Sequence, residues 1–597
     1  MTSEGPAELL GVARSASGRA WRTRLGSNRD ALAIAERHEL PEILGRVLAG
    51  RQVKLDDVEA FLNPTLRTSM PQPSALRDME AGAERLAQAI MRGEKIAIIS
   101  DYDVDGVASA ALLTRFLRAV GSDAETHIPD RISEGYGPSE AAVRDLHARG
   151  ASLLLTLDCG VLAHDPLAKA AELGLDVVVV DHHQPGENLP AAHAVINPNR
   201  MDDVSGVGYL CAAGVTMILV ASTNRRLRQL GWYREGRAEP NLLQWLELVA
   251  LATVCDVVPL VGLNRAYVVQ GLKIMARREN VGLAALADVS RLTRRPDPYA
   301  LGFVLGPRLN AAGRVGQASL ALRLLVATDR GEASTIALEL ERLNKQRQAI
   351  EMRVVDEAAV QAETALGREK RGPVILVAGE NWHPGVLGLV AARLKERFQL
   401  PSFALGYARG ASLASGSGRS VAGIDLGAAV RAALDAGLLV KGGGHAMAAG
   451  LTIARERIGE LRDFLEQRFA NASDLLARHW LEIDAVVSAS GATLELIEML
   501  EQAGPFGAAN PAPLFALPAH RIVYADAAGT DHIRCTIAAA DGTQLKAIAF
   551  RALGTDLGEL LLSERQHPLH LVGRLVIDEW NGGRRPALHI EDASSIP

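Results

Sequence analysis

Residues 96–106 read Ile-Ala-Ile-Ile-Ser-Asp-Tyr-Asp-Val-Asp-Gly, a short apolar run that ends in three aspartates. The run from residue 95 to residue 100 predicts a buried strand, and the apolar residues 106–120 that follow predict a helix. Further apolar runs at 153–157 and 177–180 are separated by alanine- and leucine-rich stretches with helical patterning. This alternation of strands and helices indicates a parallel sheet that helices cover on both faces.

Acidic residues follow each of these predicted strands. They are Asp101, Asp103 and Asp105 after the first, Asp158 after the second, Asp181 with His182 and His183 after the third, and Asp256 after the apolar stretch 248–254. Functional residues of a parallel sheet gather at the carboxyl ends of its strands, so we expect these side chains to lie together. Carboxylates crowded at one edge need cations to neutralise them, and carboxylate and imidazole ligands suit Mn²⁺ or Mg²⁺.

A structural explanation exists for any one of these aspartates, because an aspartate after a strand often caps the helix that follows. The ordered set is harder to explain in this way than a single member. For Asp105 both explanations stay open, since it either binds metal or caps the helix that Gly106 is predicted to open.

The composition limits what kind of protein this is. A chain of 597 residues is expected to form three or four domains, and 48% hydrophobic residues without low-complexity tracts indicate soluble, folded domains. The net charge of −6 does not indicate nucleic-acid binding, although local arginine clusters can hold phosphates in a mildly acidic protein.

The cysteines and the apolar runs bear on location. Four scattered cysteines argue against a disulfide framework or a zinc cluster and fit a reducing cytoplasm. Residues 1–6 show no start of a signal peptide, and the apolar runs are too short to span a bilayer. We therefore expect a cytoplasmic protein without membrane segments.

Changes in pattern divide the chain into five predicted segments. Residues 1–93 form a lead-in subdomain without apparent chemistry, and residues 94–330 form the domain that carries the acidic constellation. Charges and leucines at helical spacing predict one long connecting helix at 331–366. A second α/β domain follows at 367–473, and period-two patterns predict an oligonucleotide-binding (OB) barrel at 478–597.

The predicted barrel is built from short strands at 521–524, 532–537, 545–550, 569–577 and 587–590. Four aromatic residues in or near it either stack on bases or belong to its core: Phe506, Phe515, Tyr524 and Trp580. This segment has no dense basic stripe, so its charge does not predict a role in binding DNA.

Ordered motifs identify the family that the chain resembles. The stretches 101–106, 157–160, 181–183 and 252–260 look like the four motifs of the DHH phosphoesterase superfamily, in order. Within that superfamily the chain resembles the RecJ single-strand-specific exonucleases, with further matching motifs at 306–314, 382–388, 417–420, 442–450 and 504–511. The resemblance covers roughly residues 95–595 and implies a DHH lobe and a DHHA1 lobe joined by the long helix, followed by the OB barrel.

The resemblance implies two divalent ions, Mn²⁺ or Mg²⁺, and assigns ligands to them. Asp158 would bridge the ions, with Asp101 and Asp256 on one ion and Asp103 and His182 on the other. Two ions about 3.5–4 Å apart can activate a water and stabilise both the attacking and the leaving oxygen of a phosphodiester.

The residues with implied catalytic roles are Asp158, His182 and His183. His183 is expected to contact the scissile phosphate or to orient a ligand, and a hydrogen-bonded supporting histidine is the structural alternative. Asp105 remains a possible further metal ligand.

The resemblance also implies a set of substrate-binding residues along a narrow groove. They are Arg131, Arg308, Asn310, Arg314, His383, Ser417, Arg419, Ser420, Gly444 and His445. Guanidinium forks, hydroxyls and backbone amides near glycines are groups that bind phosphates, and Arg131 resembles the family position that meets a 5′-terminal phosphate. The alternatives are ion pairs for the arginines, most of all Arg308, and a packed side chain for His383.

The function that the resemblance implies is hydrolysis of single-stranded DNA from its 5′ end to mononucleotides, in DNA repair and recombination. One alternative is a phosphodiesterase acting on short oligoribonucleotides or cyclic dinucleotides, although such relatives generally lack the long connector and the barrel. Another is a non-catalytic DNA-binding scaffold, which the complete set of metal ligands disfavours. Family expectations also include a monomer, and partners such as single-strand-binding protein and a RecQ-type helicase.

Overall fold

The computed structural model describes residues 8–234, 236–368, 372–470, 480–564, 567–579 and 583–596. These residues form two compact units. The first unit comprises the described parts of 1–69, 259–262 and 477–597, and the second comprises the described parts of 70–258 and 263–476. Trp580 lies outside the described residues.

The strands, in chain order, are β1 Ala20–Thr23, β2 Ile96–Ser100, β3 Ala124–His127, β4 Leu153–Leu157, β5 Asp176–Val180, β6 Ala194–Ile196, β7 Ile375–Glu380, β8 Ser402–Tyr407, β9 Leu413–Arg419, β10 Lys441–His445, β11 Ala448–Ala454, β12 Trp480–Ile483, β13 Ala485–Val486, β14 Phe515–Ala528, β15 His532–Ala538, β16 Gln544–Ala549, β17 Leu569–Asp578 and β18 Arg585–Ser595.

The α-helices, in chain order, are α1 Asn28–Arg37, α2 Glu42–Gly50, α3 Val58–Leu62, α4 Leu66–Ser69, α5 Met79–Arg92, α6 Val104–Ala119, α7 Glu140–Ala148, α8 His164–Glu172, α9 Ala212–Gln229, α10 Leu246–Cys255, α11 Gly262–Met275, α12 Val281–Val289, α13 Gly306–Val315, α14 Ser319–Val326, α15 Arg330–Arg368, α16 Pro384–Phe398, α17 Leu426–Asp435, α18 Ile458–Phe469, α19 Leu494–Glu501 and α20 Asp556–Ser563. None of the described helices combines the length and the apolar composition needed to cross a bilayer.

The predicted parallel sheet forms the core of the second unit. Its strand order is β3-β2-β4-β5-β6, and every neighbouring pair is parallel. Because β2 and β4 are adjacent while β3 lies on the other side of β2, the connection reverses direction between β2 and β4. In parallel sheets a reversal of this kind opens a crevice at the carboxyl ends of the two strands, which is where ligands bind.

Helices cover both faces of this sheet, as the sequence predicted. On one face Val177 and Val179 of β5 share a cluster of buried side chains with Val143 of α7 and Leu167 of α8. On the opposite face α5 approaches so closely that a Cβ added to Gly82 would lie 3.3 Å from Val178 Cγ1. Alternate residues of one strand therefore face different helices, which explains why β4 and β5 are apolar almost throughout.

Helix α15 spans Arg330–Arg368 and confirms the predicted long connecting helix. Its early part packs against α12 and α13, and its later part packs against α16 and β7. Val354 and Ala358 of the later part are buried with Ile375 and Val386 of the second lobe. The helix therefore joins the cores of the two lobes within the second unit.

The second lobe contains a mixed sheet with the order β10-β11-β9-β8-β7. Only the β7–β8 pair is parallel, and the other neighbouring strands are antiparallel. Arg419 of β9 is paired with Ala448 of β11, which is paired in turn with His445 of β10. This register brings the ends of three strands together.

The first unit contains the predicted barrel, with strands in the order β14-β15-β16-β18-β17 and a β14–β17 pairing that closes it. Phe515 is a core residue, only 1% exposed, whereas Tyr524 is 44% exposed. Phe506 is half-buried and packs against the core. Among the described aromatic residues considered for base stacking, Tyr524 is therefore the most exposed.

The lead-in residues divide between the two units. Leu44 and Leu48 of α2 are buried in the core of the barrel, and Arg51 forms an ion pair of 2.8 Å with buried Asp484. Residues 70–93 instead belong to the second unit, where α5 packs on the parallel sheet and on α9. The segment boundary at residue 93 stays a prediction, since it corresponds to no break between the two units.

Candidate functional site

The carboxyl ends of four parallel strands form the candidate site. Ser100, Leu157, Val180 and Ile196 are paired across the sheet in sequence, so the residues that follow them lie along one edge. Those following residues are Asp101, Asp158, Asp181 and Asn197. The site therefore lies at the predicted edge of the sheet, and it includes the crevice between β2 and β4.

The turn after β2 holds two aspartates in different roles. Asp103 is the N-cap residue of α6, and its Oδ1 accepts hydrogen bonds from the amides of Asp105 (2.9 Å) and Gly106 (3.2 Å). Helix α6 therefore begins at Val104, and of the two explanations left open for Asp105, the one in which it caps a helix opened by Gly106 is wrong. A Cβ at position 106 would lie 2.5 Å from Asp101 O. Because Gly106 has none, the start of the helix can approach the end of the strand closely.

Asp105 is fixed by a different helix. Its two carboxylate oxygens accept hydrogen bonds from the amides of Ala212 (2.7 Å) and Ala213 (2.8 Å), at the start of α9. The positive end of the α9 dipole also favours a negative charge there. Asp105 Oδ2 nevertheless lies 3.8 Å from His182 Nε2, so it also borders the cluster.

Asp158 lies in a strained turn after β4. Its φ of +60° is in the left-handed region, which few residues other than glycine adopt. Gly160 has a φ of +111°, and a Cβ there would lie 2.4 Å from Thr156 Oγ1. Tyr136 Oη donates a hydrogen bond of 2.9 Å to the Asp158 carbonyl and helps to hold this turn.

His182 lies among three of the carboxylates. Its Nε2 is 3.3 Å from Asp158 Oδ1, 3.6 Å from Asp256 Oδ2 and 3.8 Å from Asp105 Oδ2. In the described residues, three overlapping groups of side chains could each hold a metal ion, because the potential ligand atoms within each group lie within 4.8 Å of one another. The groups are Asp101 with Asp103 and Asp158, Asp105 with His182 and Asp256, and Asp158 with His182 and His183.

The electrostatics of this cluster fit divalent cations. Burial, followed by repulsion from neighbouring aspartates, raises the pKa of Asp101 and Asp158 well above the usual range, and it raises the pKa of Asp256 to about 9. Asp101 Oδ1, Asp158 Oδ1 and Asp256 Oδ2 are buried atoms without a hydrogen-bond partner among the described residues. Unpartnered buried carboxylate oxygens are costly, and metal ions of the Mn²⁺ or Mg²⁺ type would neutralise them.

His183 is held by Asp181 rather than by the carboxylate cluster. Its Nδ1 lies 2.7 Å from Asp181 Oδ1, and that carboxylate also accepts hydrogen bonds from the amides of His182, His183 and Val161. Burial acts to lower the pKa of His183, but the hydrogen bond to Asp181 and the negative charges of Asp181, Asp101 and Asp105 together raise it. The His183 ring also stacks on His445 of the second lobe, with centroids 5.9 Å apart.

Three arginines converge beside the carboxylates. Burial, followed by repulsion from Arg131, Arg347 and Arg419, lowers the pKa of Arg314 to about 10. Arg131 lies over the ring of Tyr102, 4.8 Å from its centroid. Arg131, Arg314 and Arg419 form no ion pair with a carboxylate in the part of the chain that the structure describes. Guanidinium groups left without a carboxylate in this way can bind an anion such as phosphate.

Other predicted substrate residues are placed differently. Arg308 forms an ion pair of 2.7 Å with Glu341 of α15, which is the alternative that the sequence left open. Ser420 is buried, and its hydroxyl donates a hydrogen bond of 2.6 Å to Ile424 O. The Ser420 hydroxyl and the Arg308 guanidinium therefore already have partners within the protein.

The remaining predicted substrate residues lie in both lobes. Ser417 Oγ accepts a hydrogen bond from Arg419 Nη1 (3.1 Å), and exposed His445 stacks on His183. His383 Nδ1 accepts a hydrogen bond from Gly385 N (3.1 Å) as the cap of α16, and the Gly444 carbonyl accepts one from Arg431. Asn310 is half-buried on α13.

Several residues that sequence reasoning did not single out position the site. Tyr136 holds the carbonyl of Asp158, while Asn197 donates to His183 O (2.8 Å) and Asn199 donates to His182 O (2.5 Å). Asn197 follows the short apolar strand β6. The rule that polar residues gather at strand ends would have found it if that strand had been recognised.

Three protein-family models match the chain. The model of the DHH family N-terminal domain matches residues 95–253, that of the DHHA1 domain matches 371–471, and that of the RecJ OB domain matches 483–592. The first and second matches lie within the second unit, and the third lies on the barrel.

Curated relatives resemble the chain over most of its length. The single-stranded-DNA-specific exonuclease RecJ of Dickeya dadantii is 37% identical over 572 residues, covering 92% of this chain and 96% of the relative. The protein of the same name from Bacillus subtilis is 32% identical over 580 residues, covering 96% of this chain and 70% of the relative.

Solved structures are similar as well. The crystal structure of RecJ from Thermus thermophilus in complex with Mn²⁺ has a TM-score of 0.77 and 28% sequence identity, covering 95% of this chain and 78% of that one. A crystal structure of exonuclease RecJ bound to manganese has a TM-score of 0.55 and 35% identity, covering 66% of this chain and 95% of that one.

Proposed function

Because this chain belongs to the RecJ family of single-stranded-DNA-specific exonucleases, we propose that it hydrolyses the phosphodiester bonds of single-stranded DNA with the help of two divalent metal ions. This proposal rests on two kinds of charged group that lie close together. Buried carboxylate oxygens without partners lie beside three guanidinium groups without carboxylates. The first feature suits Mn²⁺ or Mg²⁺, and the second suits the phosphates of a nucleic acid.

The ligand assignment follows the groups of neighbouring atoms. Asp158 belongs to two of the three groups and is our candidate for the bridging ligand. Asp101, Asp103, His182 and Asp256 are the further candidates. Two divalent ions held by these side chains would stabilise the charge that develops on a phosphodiester during attack by water. Asp105 supports the centre by fixing the start of α9 and is a weaker candidate for direct ligation.

The remaining residues position the ligands and the substrate. Asp181 keeps the His183 ring in place by holding its Nδ1, which leaves Nε2 as the nitrogen available to a phosphate. His445 stacks on this ring and links the second lobe to the metal centre. Asn199 and Asn197 fix the backbone of the two histidines and so limit the ways in which His182 can turn.

We propose that the strand is degraded from its 5′ end and released as mononucleotides, in DNA repair and recombination. The polarity rests on the family resemblance. Arg131, Arg314 and Arg419 support recognition of a strand end, because a terminal phosphate carries more charge than an internal one and gains most from several guanidinium groups. Free cysteines favour action in a reducing cytoplasm. Single-strand-binding protein and a RecQ-type helicase are candidate partners from the family resemblance alone. The monomeric state is proposed on the same ground.

The Arg131→Ala variant is expected to lose discrimination between strand ends. Its kcat/KM on single strands with a 5′ phosphate should fall roughly 10- to 150-fold, because a charge-assisted hydrogen bond contributes about 1.5–3 kcal/mol. Strands with a 5′ hydroxyl should be affected much less. The matched control is Arg144→Ala, which removes an exposed arginine of α7 that is paired with Glu140. An equal loss on both kinds of strand would contradict a role in binding the terminal phosphate.

A direct test of the proposed function uses DNA labelled at either end, in single- and double-stranded form, with Mn²⁺ or Mg²⁺. We expect single strands to be shortened from the 5′ end and double strands to be resistant. Digestion from the 3′ end would contradict the proposed polarity. Cleavage confined to dinucleotides would favour a phosphodiesterase for small substrates instead.

A further inference from the structure

Two aromatic side chains lie exposed and stacked on the surface of the second unit. The ring centroids of Tyr299 and Phe303 are 5.1 Å apart, and the ring planes differ by 21°. Tyr299 is 58% exposed and Phe303 is 70% exposed. Single exposed apolar residues are common on proteins, but a stacked pair of aromatic rings that is open to solvent leaves a large apolar area uncovered.

The local backbone explains how both rings come to face the same way. Residues Ala300–Leu305 form a π-helical segment that continues into α13. Ala300, Leu301 and Leu305 are buried and anchor the segment, so Tyr299 and Phe303 are left on its outer side. Isolated π-helical turns are rare and are frequently found at functional sites.

The segment packs on the end of α10, directly before the candidate ligand Asp256. Cys255 Sγ donates a hydrogen bond of 3.5 Å to Leu301 O, and Asp256 is the next residue along the chain. Gly302 lies against Val254, since a Cβ added to it would be 3.3 Å from Val254 Cγ1. The exposed rings therefore belong to an element that packs on the end of α10, where a candidate metal ligand follows.

The segment that leads to the rings is basic, with Arg291, Arg294 and Arg295 in the eight residues before Tyr299. The Arg294 guanidinium lies 5.6 Å from the centroid of the Tyr299 ring. Arg294 is also paired with Asp297 at 3.3 Å, whereas exposed Arg291 and Arg295 have no carboxylate partner among the residues that are described. The segment before the rings thus carries more basic than acidic side chains, which suits a polyanion.

We propose that Tyr299 and Phe303 form a stacking platform for bases of the single-stranded DNA substrate, outside the metal centre, with the neighbouring arginines on its phosphates. The proposal rests on the proposed function and adds a second binding site to it. Stacked rings combined with guanidinium groups bind bases of any kind, because every base has a π-face. Such a platform would hold a strand regardless of sequence while its end is hydrolysed.

The platform is tested with the variants Phe303→Ala and Tyr299→Ala, singly and together, in the full-length chain. Loss of one stacked base should raise KM for long single strands roughly 5- to 100-fold, while kcat stays within about twofold. Because the platform is proposed to lie outside the metal centre, cleavage of dinucleotides should not change. Phe303→Trp and Tyr299→Phe keep a ring at each position and should restore KM.

Leu338→Ala is the matched control, because Leu338 is also a highly exposed apolar residue of the same unit, at 61%. A ladder of strand lengths then shows the length at which the effect of the ring variants begins. If the double variant has the KM of the unchanged protein at every length, the platform does not bind DNA, and a protein partner becomes the better occupant. If KM rises equally on dinucleotides, the rings act through the metal centre, which also overturns the proposal.

Binding is measured separately from cleavage, so that failure of the proposed function does not leave the platform untested. Single strands with 2-aminopurine at successive positions are added to the chain in the presence of a chelator. We expect quenching at the positions that stack on the rings, and its loss in the double variant. Absence of this difference would overturn the platform even if cleavage is normal, whereas absence of cleavage with the quenching intact would overturn only the proposed hydrolysis.

Discussion

Replacement of Asp158 by alanine is expected to lower the rate of single-strand hydrolysis at least about 10³-fold, which corresponds to about 4 kcal/mol of transition-state stabilisation. Asp158 belongs to two of the three groups of potential ligand atoms, and its Oδ1 lies 3.3 Å from His182 Nε2. Loss of this carboxylate should therefore weaken both ion sites at once. The measurement is the initial rate of release of nucleotides from labelled single strands in Mn²⁺.

A thermal-unfolding experiment distinguishes loss of metal from loss of folding. Mn²⁺ should raise the melting temperature of the unchanged protein, because ligands that bind only the folded state stabilise it, and this rise should be smaller in Asp158→Ala. In chelator the variant should melt close to the unchanged protein, since relief of repulsion from the neighbouring aspartates offsets the strain of alanine at a positive φ. Asp145→Ala is the control, because Asp145 is an exposed acid on α7.

Two results would contradict the role given to Asp158. One is hydrolysis that survives the substitution at more than about a tenth of the original rate, since no bridging ligand is dispensable to that degree. The other is an unchanged Mn²⁺-dependent rise in melting temperature, which would show that the ions are held elsewhere.

The Glu247→Gln variant is expected to be more stable than the unchanged protein at pH 8, by roughly 3 kcal/mol. Glu247 is 3% exposed on α10, and its Oε2 has no hydrogen-bond partner among the described residues. That side chain borders a cavity of about 220 Å³. Burial raises the pKa of Glu247 to about 7, and the nearby Arg115 offsets this rise only in part.

The raised pKa of Glu247 determines how the stability difference between the two proteins changes with pH. The folded state holds the Glu247 proton more tightly than the unfolded state, so the stability from this group is fully present below pH 4.5 and is lost as the pH rises through 7. Glutamine cannot ionise and should not show this loss. The two proteins should therefore have similar stability near pH 4.5 and differ most above pH 7.

Urea unfolding at a series of pH values measures the effect, with buried Trp245 among the fluorescent residues that report it. Glu279→Gln removes a nearby exposed carboxylate and should change the stability by no more than about 0.5 kcal/mol. A difference between Glu247→Gln and the unchanged protein that stays constant from pH 5 to pH 8 would show that ionisation of Glu247 is not the cause.

The order of strands and acids was predictable because it depends on neighbouring residues. Each apolar run of four or five residues has to be buried, and the polar residue that follows it marks where the strand leaves the core. The runs before Asp101 and Asp158 are strands in the structure, and those strands are parallel neighbours. Parallel pairing then brings the residues after them to the same edge, without any knowledge of the rest of the chain.

The roles of single residues were less predictable, because they depend on distant partners. Asp105 accepts hydrogen bonds from amides 107 and 108 residues away, and no pattern near Asp105 indicates them. Arg308 lies in a motif that predicts phosphate binding, yet Glu341 of α15 occupies its guanidinium. The hydroxyl of Ser420 is likewise occupied by a carbonyl of its own lobe.

By itself the sequence determined the fold class, the edge of the sheet where acids and histidines meet, and the closed barrel near the C-terminus. The tertiary structure alone decided that Asp103 rather than Asp105 caps α6, that Asp181 and Tyr136 support the site, and that Tyr299 and Phe303 stack in the open. The physical reason is the range of the forces involved. Apolar runs that must be buried can be recognised from neighbouring residues in the sequence. The partner of a charged or aromatic group is often distant in the sequence, so it is known only from the folded structure.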